Sequence, residues 1–335
     1  MSRVKRTSRV RNTVVDSLSQ IYWNFILENE DKNLNWRSIS ENSCITWDII
    51  QDNPDKPWNW NCMSKNSSIT WDIIEKNPNE AWDWRYISKN KNITWEIIMN
   101  HLDKDWEWRY LSYHPNITMD IINDNLDKPW NWDSMSDNIS ITIDFINLNP
   151  CKLWNWYKIS QNRGITWNII RDNPDKPWIW AGVSQNQNIT WDIIKDNPDK
   201  PWYWEWIVLN QSITEDIILK NQDKLWDWFW ISYNKSITWD FIQKNPDKDW
   251  YWGWISVNPN ITMDIIRMNP DKKWNFSEIS RNPFTKQRTD FLVEQYRRHL
   301  MAFRIQYRWK NALVNPHCRL GIRKIKRDME FAGIE

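Results

Sequence analysis

Apolar residues in this chain fall in short clusters that return at a fixed interval. An Ile-Thr pair stands at residues 45, 69, 93, 117, 141, 165, 189, 213, 237 and 261, each 24 residues after the last, and a degenerate copy begins at Ile21 with Trp23, Phe25 and Ile26. Within the chain the copies align as I-T-W-D-I-I-x-x-N-P-D-K-P-W-N-W-x-x-I-S-x-N-x-x, numbered here as positions 1 to 24. Self-similarity at a period of about 20–50 residues marks one supersecondary unit stacked many times, because no single unit can bury its own apolar face.

The polar positions predict where each unit bends. Threonines such as Thr46, Thr70 and Thr94 are good N-caps, and an acid two residues later (Asp48, Asp72, Glu96) suits the positive end of a helix dipole. A helix of about two turns is therefore expected, stopped by Asn53 and Pro54, with the asparagine in a left-handed conformation. His101 and His114 stand where other copies carry Asn, and are expected to substitute as caps at positive φ. Asp55 is expected to cap a second helix with Pro57 in its first turn, carrying Trp58, Trp60 and Met63 and ending near Asn66.

Composition sharpens the picture. The chain has 335 residues with 31 Trp and only 5 Gly, and its mean hydropathy is −0.79. Position 16 is Trp from Trp36 to Trp252 with Phe276 closing the series, position 14 is Trp from Trp58 to Trp274, and position 3 is Trp in seven copies. A large aromatic at one position of every unit is most simply a core ladder, each ring packing on the next unit's. A 24-residue leucine-rich repeat fits poorly, because Asn61, Arg85, Arg109 and Asp133 are polar where that motif needs leucine, and propeller blades need a longer period. The expected fold is an all-α solenoid of about eleven 24-residue two-helix repeats, right-handed, and elongated to roughly 100 Å if each unit adds one helix-to-helix spacing.

Three segments follow from pattern and charge: a basic arm over 1–12, the repeat array over 13–283, and a basic helical C-terminal cap over 284–335. The cap is expected to form a long helix from about Thr289 to Val314, a break at Asn315-Pro316, and a second helix to about Phe331. Residues 1–12 hold 5 Lys+Arg and no acids, residues 284–335 hold 12 against 5, and the array holds 27 against 38, a net of −11. An acidic array repels phosphate backbones, so nucleic acid is expected only at the ends, on Arg3, Lys5, Arg6, Arg9 and Arg11 or on Arg297, Arg298, Arg304 and Arg308.

The N-terminal residues lack the apolar run of a secretory signal, and no stretch is apolar enough to span a membrane. Cys44, Cys62, Cys151 and Cys318 show no CxxC spacing, which predicts reduced thiols and an intracellular protein. The Asn-Ile-Thr triplets at Asn92, Asn116, Asn188 and Asn260 are products of the repeat and are expected to be a loop running into a helix start.

The units ITWDIIQDNPDKPWNW and ITWDIIKDNPDKPWYW resemble those of the tryptophan-repeat proteins of large nucleocytoplasmic DNA viruses, including insect poxviruses and amoebal giant viruses. The resemblance covers roughly residues 21–283. It implies a viral origin, with the host cytoplasm, the nucleus or the virion as the place of action, and it supplies no catalytic residue.

Candidate chemistry is sparse. The sequence carries no phosphate-binding glycine loop, no HExxH and no GxSxG, and the position-4 acids come one per unit, too far apart for neighbours to share a metal. No enzyme, metal or cofactor is expected. Position 18 varies most, from Ser38, Cys62, Tyr86, Tyr110, Ser134, Lys158 and Gly182 to three successive tryptophans, Trp206, Trp230 and Trp254. Variety predicts solvent exposure in the early copies. The tryptophans are expected either to bind a partner or to lie under the C-terminal helices, and Tyr86 and Tyr110 form a weaker second patch. The functional expectation is a protein-interaction scaffold with a host or viral protein partner; the alternatives are a structural part of a virus particle or replication compartment, and nucleic-acid association through the basic ends.

Overall fold

The computed structural model describes residues 18–314, with 223 and 225 excepted. The basic arm and everything after Val314, including the expected break and last helix, lie outside the described residues. All described regular structure is helical: a helix over 18–28, then short helices of four to six residues from Trp36–Glu41 to Phe276–Ile279, then a helix Thr285–Val314. That last helix starts four residues before its expected beginning.

Residues Ser19–Lys286 form one compact unit of eleven repeats, the first starting at Ile21 and the last at Ile261. In each repeat after the first, the first helix spans positions 3 to 8, as in Trp47–Asp52, with the Thr46 hydroxyl accepting from the Ile49 amide. The helix ends where Asn53 turns its side-chain amide back onto the Ile49 carbonyl at 2.8 Å. The expected left-handed backbone is absent there: Asn53 has φ −134° and ψ 59°, and the asparagine caps through its side chain instead. His101 has φ −134° as well, so neither residue type was selected here for tolerance of positive φ.

The second helix also starts later than expected. It begins at position 16, as in Trp60–Ser64, and is capped by Asn59, whose side chain accepts from the Cys62 amide. Asp55 caps nothing at this helix: the connection before it is non-helical where position 13 is Pro57 and equally where it is Ala81, Asp105 or Leu153. Helices of four to six residues are far below the length that is stable alone, so their stability must come from neighbouring repeats.

Those neighbours are joined by three recurring devices. The position-14 indole donates to the position-9 carbonyl of its own repeat, as Trp58 does to Asn53 at 2.8 Å, and its ring meets the position-16 ring of the previous repeat edge-on, as with Trp36 and Trp58 at 5.4 Å. This edge-on pair recurs at all ten junctions between consecutive repeats, with centroids 5.0–6.0 Å apart. The buried position-22 asparagine donates to carbonyls of the preceding repeat, as Asn66 does to Ser40 at 3.0 Å and Asn42 at 2.9 Å. The position-20 serine hydroxyl accepts from the position-15 amide of the next repeat, as Ser40 does from Asn59 at 2.9 Å.

The same register joins the last repeat to the first. Ser280 accepts from the Asn35 amide at 3.0 Å, and Asn42 donates to the Asn282 carbonyl at 3.2 Å, each bond being the one found between consecutive repeats. The expected rod is therefore a closed ring. The serine bond is present at ten of the eleven junctions and missing only where Val208 replaces the serine.

The closing junction has its own side chains. Leu34 and Phe276 stand where other junctions pair two tryptophans. The fully buried Tyr22 hydroxyl donates to the Ser280 carbonyl at 3.3 Å, and burial pushes the phenol pKa far above its ordinary value. Phe284 packs against Phe25 at 5.6 Å and Tyr22 at 6.1 Å, and is the one non-glycine residue of positive φ among the described residues. Arg267 holds Glu28 at 2.7 Å and lies 5.3 Å over the Phe25 ring.

Closure decides which face is inside. Second helices of adjacent repeats pack directly on each other, as Trp156–Gln161 does on Trp180–Gln185, whereas first helices are spaced apart by the tryptophans. At a fixed angular step of about 33° per repeat, elements that lie closer together lie at smaller radius. The second helices form the inner circle. Their positions 16, 19 and 20 face the core, so positions 17, 18 and 21, on the opposite side of a 3.6-residue helix, line the bore.

Candidate interaction surface

The bore is where the repeat varies, and its chemistry changes around the circle. In repeats eight to ten it is aromatic. Trp206, Trp230 and Trp254 lie there half-buried, with Trp206 and Trp230 at 5.4 Å, and three further exposed rings extend the patch, Phe229, Tyr233 and Tyr251, while Tyr203 is exposed beside it in repeat eight. Phe229 bridges Trp230 at 5.0 Å and Tyr251 at 4.8 Å, while Tyr233 packs on Trp254 at 4.8 Å. In the sequence these three rings stand apart from the tryptophan series, at positions 17, 21 and 15 of their repeats, and only the folded inner helices bring them beside position 18. The Trp254 indole N–H is buried and lacks an acceptor, a donor left unpaired in the middle of the patch.

The expectation for the early copies needs correcting. Cys62, Ser134 and Gly182 are buried at position 18, because the neighbouring inner helix covers small side chains there, and a Cβ on Gly182 would come within 2.6 Å of the Tyr157 carbonyl. Only longer residues reach the bore. Tyr86 and Tyr110 do so, half-buried, with the Lys89 ammonium between them at 5.0 and 3.7 Å from the two ring centres.

That tyrosine pair sits in a basic sector. Arg37, Lys65, Arg85, Lys89 and Arg109 all project from inner helices of the first four repeats. Lys65 is paired with Glu41 at 2.6 Å and Arg85 with Asp83 at 3.0 Å, the guanidinium holding that carboxyl below its ordinary pKa. Arg37, Lys89 and Arg109 form no ion pair among the described residues. Between the two sectors lies a polar hollow of about 390 Å³ lined by Asp137, Gln161, Arg163, Gln185 and Gln187.

His101 and His114 are structural, His101 packing on the Trp71 ring at 4.7 Å. His114 is buried in the asparagine ladder: its Nδ1 accepts from the Asn116 amide at 3.2 Å, which leaves Nε2 to donate to the Asn90 carbonyl at 3.0 Å. Burial lowers its pKa, so the neutral tautomer is held. Asn92, Asn116, Asn188 and Asn260 likewise bond backbone carbonyls of the preceding repeat, as Asn92 does to Ser67 at 2.9 Å. Cys44 and Cys62 are buried free thiols and Cys151 is an exposed one.

At the ends, Arg297, Arg298 and Arg304 are exposed on the Thr285–Val314 helix, with Arg298 paired to Glu294 at 2.9 Å. The Arg308 side chain and Arg3, Lys5, Arg6, Arg9 and Arg11 lie outside the described residues. Among the described residues no helix is long and apolar enough to cross a membrane, and no cluster of His, Cys, Asp or Glu has the geometry to hold a metal ion.

The Ser19–Lys286 unit is thus a closed helical-repeat ring with a chemically divided bore. No protein-family model matches the sequence, and comparisons with curated proteins and with solved structures find no match either.

Proposed function

We propose that this chain is a non-catalytic, intracellular protein-interaction module that holds a protein partner against its inner helices. The observation that carries the reading is the aromatic patch of repeats eight to ten, where exposed Phe229, Tyr233 and Tyr251 pack around half-buried tryptophans. Contiguous exposed aromatic surface is uncommon on soluble chains and marks partner sites, and Trp and Tyr dominate interface hot spots. The scaffold beneath is a repeated set of bonds, so side chains at positions 17, 18 and 21 change without disturbing it.

The test is affinity capture from cell lysate with the wild-type chain and with Trp206→Ser/Trp230→Ser. A captured protein that resists high salt, and is lost with the double variant while the melting temperature stays within a few degrees, supports the reading. Capture that is indifferent to these substitutions overturns it.

A further inference from the structure

The bore is divided, and the two parts face each other. Arg37, Lys89 and Arg109 come from repeats one, three and four, whereas Trp206, Trp230 and Trp254 come from repeats eight, nine and ten. On an eleven-membered circle these groups are centred roughly 150° apart. One wall therefore offers Arg37, Lys89 and Arg109 outside ion pairs, with Arg109 near enough to Asp133 to help lower its carboxyl pKa, and the opposite wall offers aromatic surface.

Size narrows the guest. Inner helices spaced about 8 Å apart close a circle about 28 Å across between opposite axes. Subtracting about 5 Å of helix and side chain on each side leaves an opening of roughly 15–20 Å. An α-helix with its side chains is about 10–12 Å thick and fits, while a duplex of nucleic acid or a folded domain does not.

We propose that the bore takes a single amphipathic α-helix of a protein partner, its acidic face on Arg37, Lys89 and Arg109 and its apolar face on Trp206, Trp230 and Trp254. This rests on the protein-interaction reading above and names the partner's chemistry. Charge complementarity sets the orientation: a basic helix would meet like charge on one wall, and a wholly apolar one would leave three cations desolvated and unpaired. Lys89, clamped between Tyr86 and Tyr110, is already ordered, so little side-chain entropy is lost when a carboxylate reaches it.

The test is selection of random 20-residue peptides displayed against the full chain, followed by affinity measurement of the selected peptides on wild type, on Arg37→Glu/Lys89→Glu/Arg109→Glu, and on Trp206→Ser/Trp230→Ser. The expected peptides are helical on binding, carry acids along one face and Leu, Phe or Trp along the other, and weaken by about tenfold or more in each variant, with affinity falling as salt rises. Circular dichroism melts of the variants, expected within a few degrees of wild type, show that the loss is not unfolding. Peptides lacking the acidic face, or peptides indifferent to both variants, overturn the bore proposal while leaving the protein-interaction reading to the capture experiment. Preferential binding of a single-stranded oligonucleotide, or no peptide at all, overturns it too.

Discussion

Phe284→Ala distinguishes a ring from a rod. In a rod, position 24 of the last repeat would sit at an exposed end, where a substitution changes stability by less than about 0.5 kcal/mol. In the ring, Phe284 is 2% exposed and packs on Phe25 and Tyr22, residues more than 250 positions away. Truncating a buried Phe to Ala costs about 3–5 kcal/mol. Both residues are strained at positive φ, so the backbone term cancels. For a body of this size about 2–4 °C is lost per kcal/mol, which places the expected fall in melting temperature at roughly 6–20 °C. Differential scanning calorimetry measures the fall, and small-angle X-ray scattering shows whether the seam opens, as a larger radius of gyration. The double variant with Phe25→Ala should cost about 0.5–1.5 kcal/mol less than the sum of the singles, the coupling of an aromatic pair. A change under about 0.5 kcal/mol, or strict additivity, would refute closure through this contact.

Other junctions give further expectations. Asn186→Leu removes four hydrogen bonds, three donated to the Ser160, Asn162 and Ile165 carbonyls and one accepted from the Asn188 amide, and should destabilise the chain by about 2–4 kcal/mol in urea unfolding, whereas Asn186→His, copying His114, should lose about half of that. Ser160→Ala breaks one inter-repeat bond, to the Ile179 amide, and a cost of about 1–2 kcal/mol is expected. For His114, burial depresses the folded pKa below its ordinary value of 6.5, so the unfolded chain takes up the proton first. Stability is then full above that value and declines as pH falls through it, and in denaturant titrations between pH 8 and pH 5, buffered at about unit intervals, His114→Asn should flatten the decline. A slope equal to wild type would mean that His114 is not the group responsible.

Much of the architecture was legible because it is local and repeated. Thr46 and its equivalents announce helix starts, the acids after them suit the dipole, and the tryptophans at positions 3, 14 and 16 announce a shared core. Details that depend on side-chain reach were not: whether Asn53 caps by backbone or by amide, or whether Asn59 rather than Asp55 starts the second helix, turns on which side chain reaches the free backbone groups in three dimensions. The aromatic patch was half legible, since Trp206, Trp230 and Trp254 stood out, but which rings join them depends on the inner helix face.

The sequence by itself determined the period, the helix class, the core positions and the eleven copies. Tertiary structure alone decided that the array closes, because closure is a sum: a small rotation between neighbours, set by no single residue, reaches a full turn only when all eleven are added. Once closed, the seam accounts for departures at both ends that the repeat pattern left unexplained. Tyr22, Leu34, Phe276 and Phe284 break the consensus in the first and last copies and meet at one junction, where aromatic and aliphatic packing replaces the tryptophan pair. Closure also assigns the variable positions to a bore, and so brings the basic and aromatic sectors face to face from opposite halves of the chain.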